Sequence, residues 1–321
     1  MASLREIKDR IASVRSTLKI TSAMKLVASS KLRKAQKAIE SLRPYEQALN
    51  SIVSQLSPFY SPQEPAREPS SQEGSSADER QSFADERLAP KTAIVVIASN
   101  NSLCGAFNAN VIKCAKQFVD SLQGSEYEIF AIGRKASEAF RGEGSSQSGN
   151  LSDLVAHPSY EKASCLAREL ERRFDSGELS KVVLVYNQYI SASQQKSVCE
   201  KMLPFSFDDA GGQDCAQASG EKPAEMDAKE KEKRIKELRE SYLYEPDPEE
   251  IVSRLLPQLL CLKMHAAILD SVAAEQAART IAMQTATDNA ERLLSDLTLE
   301  YNKGRQQKIT SEILDLVGGS L

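Results

Sequence analysis

The side chains that could do chemistry are few and scattered along the chain. The two histidines are His157 and His265, and no cysteine lies at metal-ligand spacing from either. No two cysteines form a Cys-x-x-Cys motif. The six cysteines are Cys104, Cys114, Cys165, Cys199, Cys215 and Cys261. We therefore expect reduced thiols inside a cell, with no bound metal and no cofactor.

One loop has the position of a phosphate-binding loop without its motif. SNNSLCGAFN, residues 99–108, follows an aliphatic run, but it contains neither G-x-G-x-x-G nor G-x-x-x-x-G-K-[ST]. Gly105 suits a strand-to-helix turn. Cys104 has no histidine near it in sequence, which favours a structural thiol over a nucleophile. With His265 expected to be a packed residue and His157 a loop residue, the sequence predicts no catalytic site and hence no enzyme.

A basic stretch near the N-terminus is the strongest charge feature. LKITSAMKLVASSKLRKAQ, residues 18–36, carries five lysines and arginines and no acid. Such a face fits solvent exposure, nucleic-acid binding or docking on an acidic protein surface. No aromatic residue interleaves the cations, which disfavours nucleic acid, and Met24 suits a packing role. Residues 208–250 have the opposite balance, fourteen acids against seven bases, in a chain of net charge -4.

Both ends of the chain have the heptad spacing of a coiled coil. Leu4, Ile7, Ile11, Val14 and Leu18 are spaced three and four residues apart. Helix-forming residues continue to Pro44 and less clearly to Pro58. Near the C-terminus the same spacing continues through Leu255, Leu259, Leu262, Ala266, Leu269, Ala273, Gln276, Thr280, Met283, Thr287, Ala290, Leu294, Leu297 and Tyr301.

These two helices would most simply pair antiparallel in one chain. DPEE, residues 247–250, predicts the start of the second helix, with Asp as N-cap and Pro at the first helical position. After Tyr301 the spacing changes to four-residue steps, a stutter that unwinds a supercoil. The C-terminal helix is the longer and should extend beyond its partner, which together predicts a stiff rod.

The region between the helices alternates strands and helices. Aliphatic runs at residues 92–98, 127–133 and 181–190 predict strands, and 196–205 is a weaker candidate. Residues 106–122, 134–141 and 160–175 have helical spacing. This alternation predicts a Rossmann-like α/β domain with a mainly parallel sheet. The longest apolar run is too short to cross a bilayer, and the N-terminus has no signal-peptide pattern.

Composition shifts predict five segments. Residues 1–60 form an N-terminal coiled-coil helix, and 61–90, rich in Pro, Ser and Glu, form a flexible insert. The central α/β domain spans 91–207, an acidic insert spans 208–246, and the C-terminal coiled-coil helix spans 247–321.

Three separated motifs carry a resemblance to a known family. The stretch 18–36 resembles the N-terminal helix of the gamma subunit of F-type ATP synthases. AAEQAARTIAMQTATDNAERLLSDL and NKGRQQKITSEILDLVGG resemble the family's C-terminal signature, and SLCGAFN resembles its central motif. The motifs occur in the family's order and agree with the fold predicted from the spacing alone.

The resemblance implies a mechanical rather than a catalytic role. Family members form the rotating shaft inside a ring of three alpha and three beta subunits, and the beta subunits carry catalysis. The central domain binds the epsilon subunit and the membrane c-ring, through which proton flow turns the shaft. The lack of a targeting peptide favours the cytoplasmic face of a bacterial inner membrane, with attachment only through the complex; a mature organellar chain would have the same sequence features.

Six residues are implied to contact the alpha–beta ring. Met24 and Lys25 match the shaft region beside beta, and Arg279 matches the arginine of the AAR motif. Arg305 and Gln306 match a pair that touches a beta loop, with Thr310 beside them. The family's S-D-R-G-L-C-G loop is here Ser99 to Gly105 without the charged pair, and Gly304 should weaken its helix by about 1 kcal/mol relative to Ala.

Two other functions remain open from the sequence. A basic coiled-coil adaptor would bind nucleic acid in a salt-sensitive way. An α/β nucleotide enzyme would bind nucleotide through residues 91–207, although the missing phosphate loop disfavours it.

Overall fold

The fold was analysed in a computed structural model, which describes residues 4–56, 91–122, 126–142, 151–205, 245 and 247–318. The predicted flexible insert, residues 61–90, lies outside the described residues. So does the predicted acidic insert, residues 208–246, except for residue 245. The elements in chain order are helix α1, strand β1, helix α2, strand β2, helices α3, α4 and α5, strands β3 and β4, and helix α6.

Helix α1 spans Leu4–Leu56 and passes through Pro44. The helix therefore continues past Pro44 and ends close to Pro58, the less certain of the two predicted ends. One side of the helix is buried or half-buried at steps of three and four residues along its whole length: Leu4, Ile7, Ile11, Val14, Leu18, Thr21, Lys25, Ala28, Leu32, Ala35, Ile39, Leu42, Glu46, Leu49, Val53 and Leu56. The predicted seam is thus confirmed and continues, although it includes two charged residues.

Helix α6 spans Pro248–Gly318, starting at the predicted proline. The amide of Ile251 donates to the carbonyl of Asp247, which closes the first turn. Every residue of the predicted C-terminal stripe from Leu255 to Tyr301 is buried or half-buried. Beyond the stutter, Arg305, Ile309 and Ile313 are exposed. The change of spacing therefore marks the point where the seam ends.

The chain divides into two compact units, and both helices contribute to each. The first unit comprises residues 1–33, 103–105 and 276–321. In it the Thr287 hydroxyl donates to the Thr21 hydroxyl at 3.0 Å. Near the other end of this pairing, a Cβ on Gly304 would lie 3.2 Å from Cδ2 of Leu4. Rising numbers on α1 meet falling numbers on α6, so the helices are antiparallel, as predicted.

The second unit, residues 34–102 and 106–275, contains a four-stranded sheet. Its strands are β1 (Lys91–Ile97), β2 (Glu126–Ile132), β3 (Leu179–Tyr189) and β4 (Gln195–Leu203), in the order β2-β1-β3-β4. Strand β1 is parallel to both neighbours, with Val95 opposite Phe130 and Leu184. Strand β4 is antiparallel to β3. The weaker strand candidate is confirmed, and the sheet is mixed rather than wholly parallel.

Helices cover both faces of this sheet. They are α2 (Phe107–Ser121), α3 (Arg134–Ala139), α4 (Ser152–Ala156) and α5 (Tyr160–Asp175). Because side chains alternate along a strand, Val95 and Ile97 belong to a core shared with α5, α1 and α6. Ile94 and Val96 belong to a second core with α2 and α3. The short helix α4 has too few residues for a periodic pattern, and the sequence did not predict it.

The turn after β2 depends on a glycine. Gly133 has φ 99°, and a Cβ there would lie 2.1 Å from the carbonyl oxygen of Ala98. Only glycine fits such an approach. The amide of Lys135 then donates to the carbonyl of Ser99 at 3.1 Å, which joins the ends of β1 and β2.

Within the described residues, one helix is long and apolar enough to span a membrane by composition. The segment Glu250–Leu314 of α6 contains a window of mean hydropathy 1.3, and 56% of that window is buried in the protein. Leu256, Leu260 and Ile268 in this region are core residues of the second unit. Packing within the chain therefore accounts for part of this apolar character.

Candidate partner-binding surface

The thiols and histidines have structural surroundings. Cys104 is buried, and none of the five cysteines in the described part of the chain is in a disulfide. His265 is half-buried on α6, and the Tyr160 ring meets it edge-on with centroids 5.8 Å apart. Burial lowers the pKa of His265 below its ordinary value. Among the described residues no group of three or more His, Cys, Asp or Glu could hold a metal ion.

The loop after β1 is filled by its own polar side chains. The amide of Ser99 donates to Oδ1 of Asn108 at 3.1 Å, and the Ser99 hydroxyl donates to the carbonyl of Asn101 at 2.6 Å. Oδ1 of Asn100 accepts from the amide of Arg134 at 3.0 Å, while its Nδ2 donates to the carbonyl of Ser152 at 2.7 Å. These side chains satisfy backbone groups at the loop, where a phosphate loop would present free amides. The asparagines thus hold loops together without the family's charged pair.

Leu103 in this loop combines two uncommon properties. Its φ is 68°, in the left-handed region that a branched side chain rarely adopts, and its side chain is 58% exposed. Gly105 two residues later has φ 59°. The turn therefore holds an apolar side chain in solvent at some cost in backbone strain.

Within the described part of the chain, the basic stretch of α1 has no acidic partners. Lys19, Lys31, Arg33 and Lys34 are exposed and Lys25 is half-buried. Over the described residues, no ion pair within 4.0 Å involves any of these five cations; the nearest pair on this helix joins Arg10 to Glu6 at 2.8 Å. The absence of acids in the sequence is thus not offset by acids from the packed partner helix. This surface can attract an acidic partner over a long range.

Exposed apolar side chains flank these cations, and the sequence analysis did not identify them. Ile20, Leu26 and Val27 are 58%, 69% and 57% exposed. All three lie outside the stripe of seam residues spaced three and four positions apart. That difference in spacing is the sequence signal that could have distinguished them from seam residues. Met24 is half-buried between them and the seam. A surface with both cations and apolar side chains is typical of a protein-binding face rather than of a merely solvated one.

The six residues implied to touch a partner fall into three environments. Arg305, Gln306 and Thr310 are exposed on the part of α6 beyond the seam. The Thr310 hydroxyl donates to the carbonyl of Gln306 at 2.9 Å, one turn earlier in the same helix. Arg279, in contrast, is buried, with 8% of its surface exposed. Met24 and Lys25 are half-buried.

Apolar residues also accompany the cations near the C-terminus. Ile309, Ile313 and Leu314 are 47%, 55% and 64% exposed on the same helix as Arg305. Lys308 is paired with Glu312 at 3.8 Å, an exposed pair of little energetic weight. This part of α6 therefore presents a cation and apolar side chains together at its surface.

The second unit contains a polar network inside the helix seam. The Tyr186 hydroxyl donates to Oε2 of Glu200 at 2.8 Å, and Lys263 pairs with Oε1 of Glu200 at 2.9 Å. Burial raises the pKa of Asp270 to about 6. The charge of Arg43 lowers this pKa, and the carboxylates of Glu46 and Glu200 raise it. Burial also raises the pKa of Glu46. These groups join α1, α6 and the sheet, and they are internal rather than presented to a partner.

Comparison with known proteins gives a consistent family. A family model described as ATP synthase matches residues 3–320. The chain is 42% identical over 326 residues to the ATP synthase gamma chain of Bacteroides thetaiotaomicron, covering all of both chains. It is also 42% identical to that of Phocaeicola vulgatus, with the same coverage. Among solved structures, a chain of the Euglena gracilis mitochondrial ATP synthase OSCP/F1/c-ring structure superposes with TM-score 0.58 at 18% identity, covering 99% of this chain and 93% of that one.

Proposed function

This chain belongs to the family of ATP synthase gamma chains, and from that premise we propose that it is the rotor of the central stalk. In this role it transmits torque between the membrane c-ring and a catalytic ring of three alpha and three beta subunits. Proton flow through the c-ring turns it during ATP synthesis. The epsilon subunit binds it on the side of the c-ring.

The paired terminal helices carry this proposal. Seam residues of α1 are buried or half-buried from Leu4 to Leu56, and those of α6 from Leu255 to Tyr301. In the first unit, where Thr21 contacts Thr287, such a seam makes the two helices bend and twist together. A shaft needs this stiffness because an elastic element would store the applied work as strain instead of passing it on.

Catalysis is assigned to the beta subunits. The loop after β1 uses its polar groups internally. The chain therefore contributes by position: an asymmetric shaft imposes different conformations on chemically identical sites. This accounts for an interaction surface that combines unpaired cations with apolar side chains, since long-range attraction keeps contact without a single fixed docking geometry.

We propose that the six residues implied by the resemblance contact the alpha–beta ring. Arg305, Gln306 and Thr310 are accessible to a beta loop, and Met24 and Lys25 border the exposed apolar face. Arg279 is proposed to act by a different route, because only 8% of it is exposed. It would hold the local shape of the shaft and touch the ring with its remaining surface. The segment boundaries at residues 60, 90, 207 and 246 are likewise proposed.

The site of action is proposed to be the cytoplasmic face of the bacterial inner membrane. Of the apolar window of α6, 56% is buried within the protein. Attachment to the membrane would then be peripheral and would pass through the c-ring.

Affinity purification of the tagged full chain from its own cells tests the proposal. We expect alpha and beta subunits to co-purify in threefold excess over the chain, with epsilon and c subunits after gentle solubilisation. The purified complex should hydrolyse ATP. Recovery of the chain with nucleic acid that is released by salt, and without an ATPase, would instead support the basic adaptor.

Arg305→Ala and Gln306→Ala test the contact residues within that complex. Both side chains are exposed and solvated, so their loss leaves the chain folded while removing contacts to the ring. We expect the complex to assemble with reduced ATP synthesis. Asn302→Ala, at a neighbouring exposed position of the same helix, is the matched control. Equal synthesis rates in all four complexes would remove this pair from the contact set.

A further inference from the structure

Two cysteines in the second unit lie next to each other although they are far apart in sequence. Cys114 is on α2 and Cys199 is on β4, separated by 85 residues along the chain. Their Sγ atoms are 3.1 Å apart. The sulfur atoms in a disulfide are about 2.05 Å apart, so an approach of about 1 Å would bring them to bonding distance.

The two thiols differ in access to solvent. Cys114 is half-buried, whereas Cys199 is buried at the edge of the core below α2. A reagent from solution can therefore reach Cys114 but not Cys199. This is the arrangement of an attacking thiol with a resolving thiol behind it.

Their contact also activates the accessible member of the pair. The hydrogen bond from Cys199 lowers the pKa of Cys114 to about 7, against a smaller raising effect of burial. A substantial fraction of Cys114 is thus thiolate near neutral pH, and the thiolate is the nucleophile in thiol–disulfide exchange. Geometry and access point the same way as this electrostatic effect.

We propose that Cys114 and Cys199 are a redox-active dithiol that closes to a disulfide on reaction with a disulfide-containing oxidant. Its substrate class is a small disulfide or the disulfide of an oxidoreductase. The closed form links α2 to β4, the edge strand of the described sheet. In a compartment rich in reduced thiols the pair stays open and closes under oxidative conditions. This site does not depend on the chain's being a rotor.

The reaction balances in two exchange steps. The Cys114 thiolate attacks one sulfur of the oxidant, forms a mixed disulfide and expels the other sulfur as a thiolate, which takes up a proton. Cys199 then loses its proton and attacks the Cys114 sulfur, expelling the second thiol. Two thiols of the chain are oxidised, one disulfide of the oxidant is reduced to two thiols, and no other reactant is needed.

Exposure of the full chain to glutathione buffers of increasing disulfide content tests the pair. After an acid quench and alkylation of the remaining thiols, peptide mapping reads which cysteines are linked. We expect a peptide pair containing Cys114 and Cys199, lighter by two hydrogen atoms than the separate thiol peptides and restored by dithiothreitol. It should account for most of the chain at a glutathione ratio that leaves most of Cys165 unmodified.

Three variants complete the test. Cys114→Ser and Cys199→Ser should each abolish the link, and in Cys199→Ser glutathione should stay on Cys114. Cys165→Ser, which removes an exposed cysteine on α5, is the matched control and should leave the link intact. The wild-type map decides the question even if a serine variant folds poorly. Persistent glutathione on wild-type Cys114, or oxidation confined to other cysteines, would overturn the proposal.

Discussion

Among single residues, the seam positions held by charged or polar groups are the most informative. Lys25 and Glu46 occupy seam positions of α1 that hydrophobic residues usually fill in a coiled coil, and Asp270, next to the seam residue Leu269, is half-buried on α6. Asp270 is the clearest case because burial raises its pKa to about 6 from the ordinary 3.8. A carboxyl that is harder to ionise in the folded state than in the unfolded one destabilises the fold at neutral pH.

Asp270→Asn should therefore stabilise the chain in a pH-dependent way. In the wild type the folded state binds more protons than the unfolded state between pH 4 and pH 6, so stability falls as pH rises through that window. A pKa difference of this size corresponds to at most about 3 kcal/mol, and we expect a gain of about 1 to 2 kcal/mol above pH 6. Urea unfolding of the full chain at pH 4.5 and pH 7.5 measures it.

An exposed aspartate provides the control for this prediction, since several charged groups surround Asp270. Arg43, Glu46 and Glu200 also act on Asp270. The exposed Asp120→Asn on α2 should change stability little and equally at both pH values. An Asp270→Asn variant whose gain is the same at pH 4.5 and pH 7.5 would show that the carboxyl's ionisation is not the cause.

Gly304 tests how closely α1 and α6 approach near the end of their seam. Alanine has the higher helix propensity by about 1 kcal/mol, but its Cβ would lie 3.2 Å from Leu4. Leu4 is the first described residue of α1 and its flexible side chain can rotate away. We expect Gly304→Ala to raise the free energy of unfolding by about 0.5 kcal/mol, less than propensity alone gives.

A second background separates the two effects. In a Leu4→Ala chain the contact is gone, so the same Gly304→Ala change should give the full gain of about 1 kcal/mol. Equal gains in both backgrounds would mean that Leu4 does not restrict residue 304. Urea unfolding of the four chains provides the comparison.

For the elements, the basic face of α1 gives the strongest prediction. Lys19, Lys31 and Arg33 are exposed and have no acidic partner among the described residues. Reversing them together to Glu should leave the helix folded but weaken assembly with the alpha–beta ring by at least tenfold at low salt, because attraction becomes repulsion. Native electrophoresis of reconstituted complexes measures assembly.

Salt dependence separates charge from shape in that experiment. Raising ionic strength screens exposed charges, so the difference between wild type and variant should shrink with salt. Reversal of Arg5, Lys8 and Arg15, exposed on the same helix, is the matched control with the same change of charge. If both triple variants assemble equally poorly, net charge rather than this face controls assembly.

The elements were largely predictable from sequence, and the exceptions have physical reasons. Spacings of three and four residues arise because one side of each helix is buried, so the stripe from Leu255 to Tyr301 was visible as a pattern. The same pattern does not reveal that Lys25 and Glu46 continue the seam, because their burial depends on the partner helix. Pro44 made the continuation of α1 less certain from the sequence, and the helix does continue to Leu56 within the packed second unit.

The candidate surface was predictable only in part. The missing acids of residues 18–36 were plain in the sequence, but the exposure of Leu26 and Val27 depends on which side of α1 packs. The roles of Asn100 and Asn108 depend on loops brought together by the sheet. The Cys114–Cys199 pair was out of reach, since 85 residues separate its members and only the fold joins them.

For the whole molecule, the question is whether α1 and α6 act as one body in the assembled complex. Thr21 and Thr287 have their hydroxyls 3.0 Å apart across the coiled coil of the first unit. Cysteines at these two positions are close enough for a disulfide. A covalent link there should change nothing in function if the two helices already turn together.

Thr21→Cys/Thr287→Cys in a Cys114→Ser background tests this. We expect the oxidised, linked complex to hydrolyse ATP within twofold of the reduced complex. The Thr21→Cys single variant, treated with the same oxidant, is the control for other thiol damage. A linked complex that is slowed tenfold or more, with the single variant unaffected, would show that the helices must slide past each other during turnover.

The unbroken seam also limits how this gene can change. One residue added or lost in a paired helix turns every later side chain by about 100° and carries the apolar stripe out of alignment. Small insertions and deletions should therefore be purged from residues 4–56 and 255–301, except in steps of seven. Beyond Gly304, α6 continues for fourteen residues to Gly318. Insertions and deletions there should be tolerated, because these residues lie outside the seam.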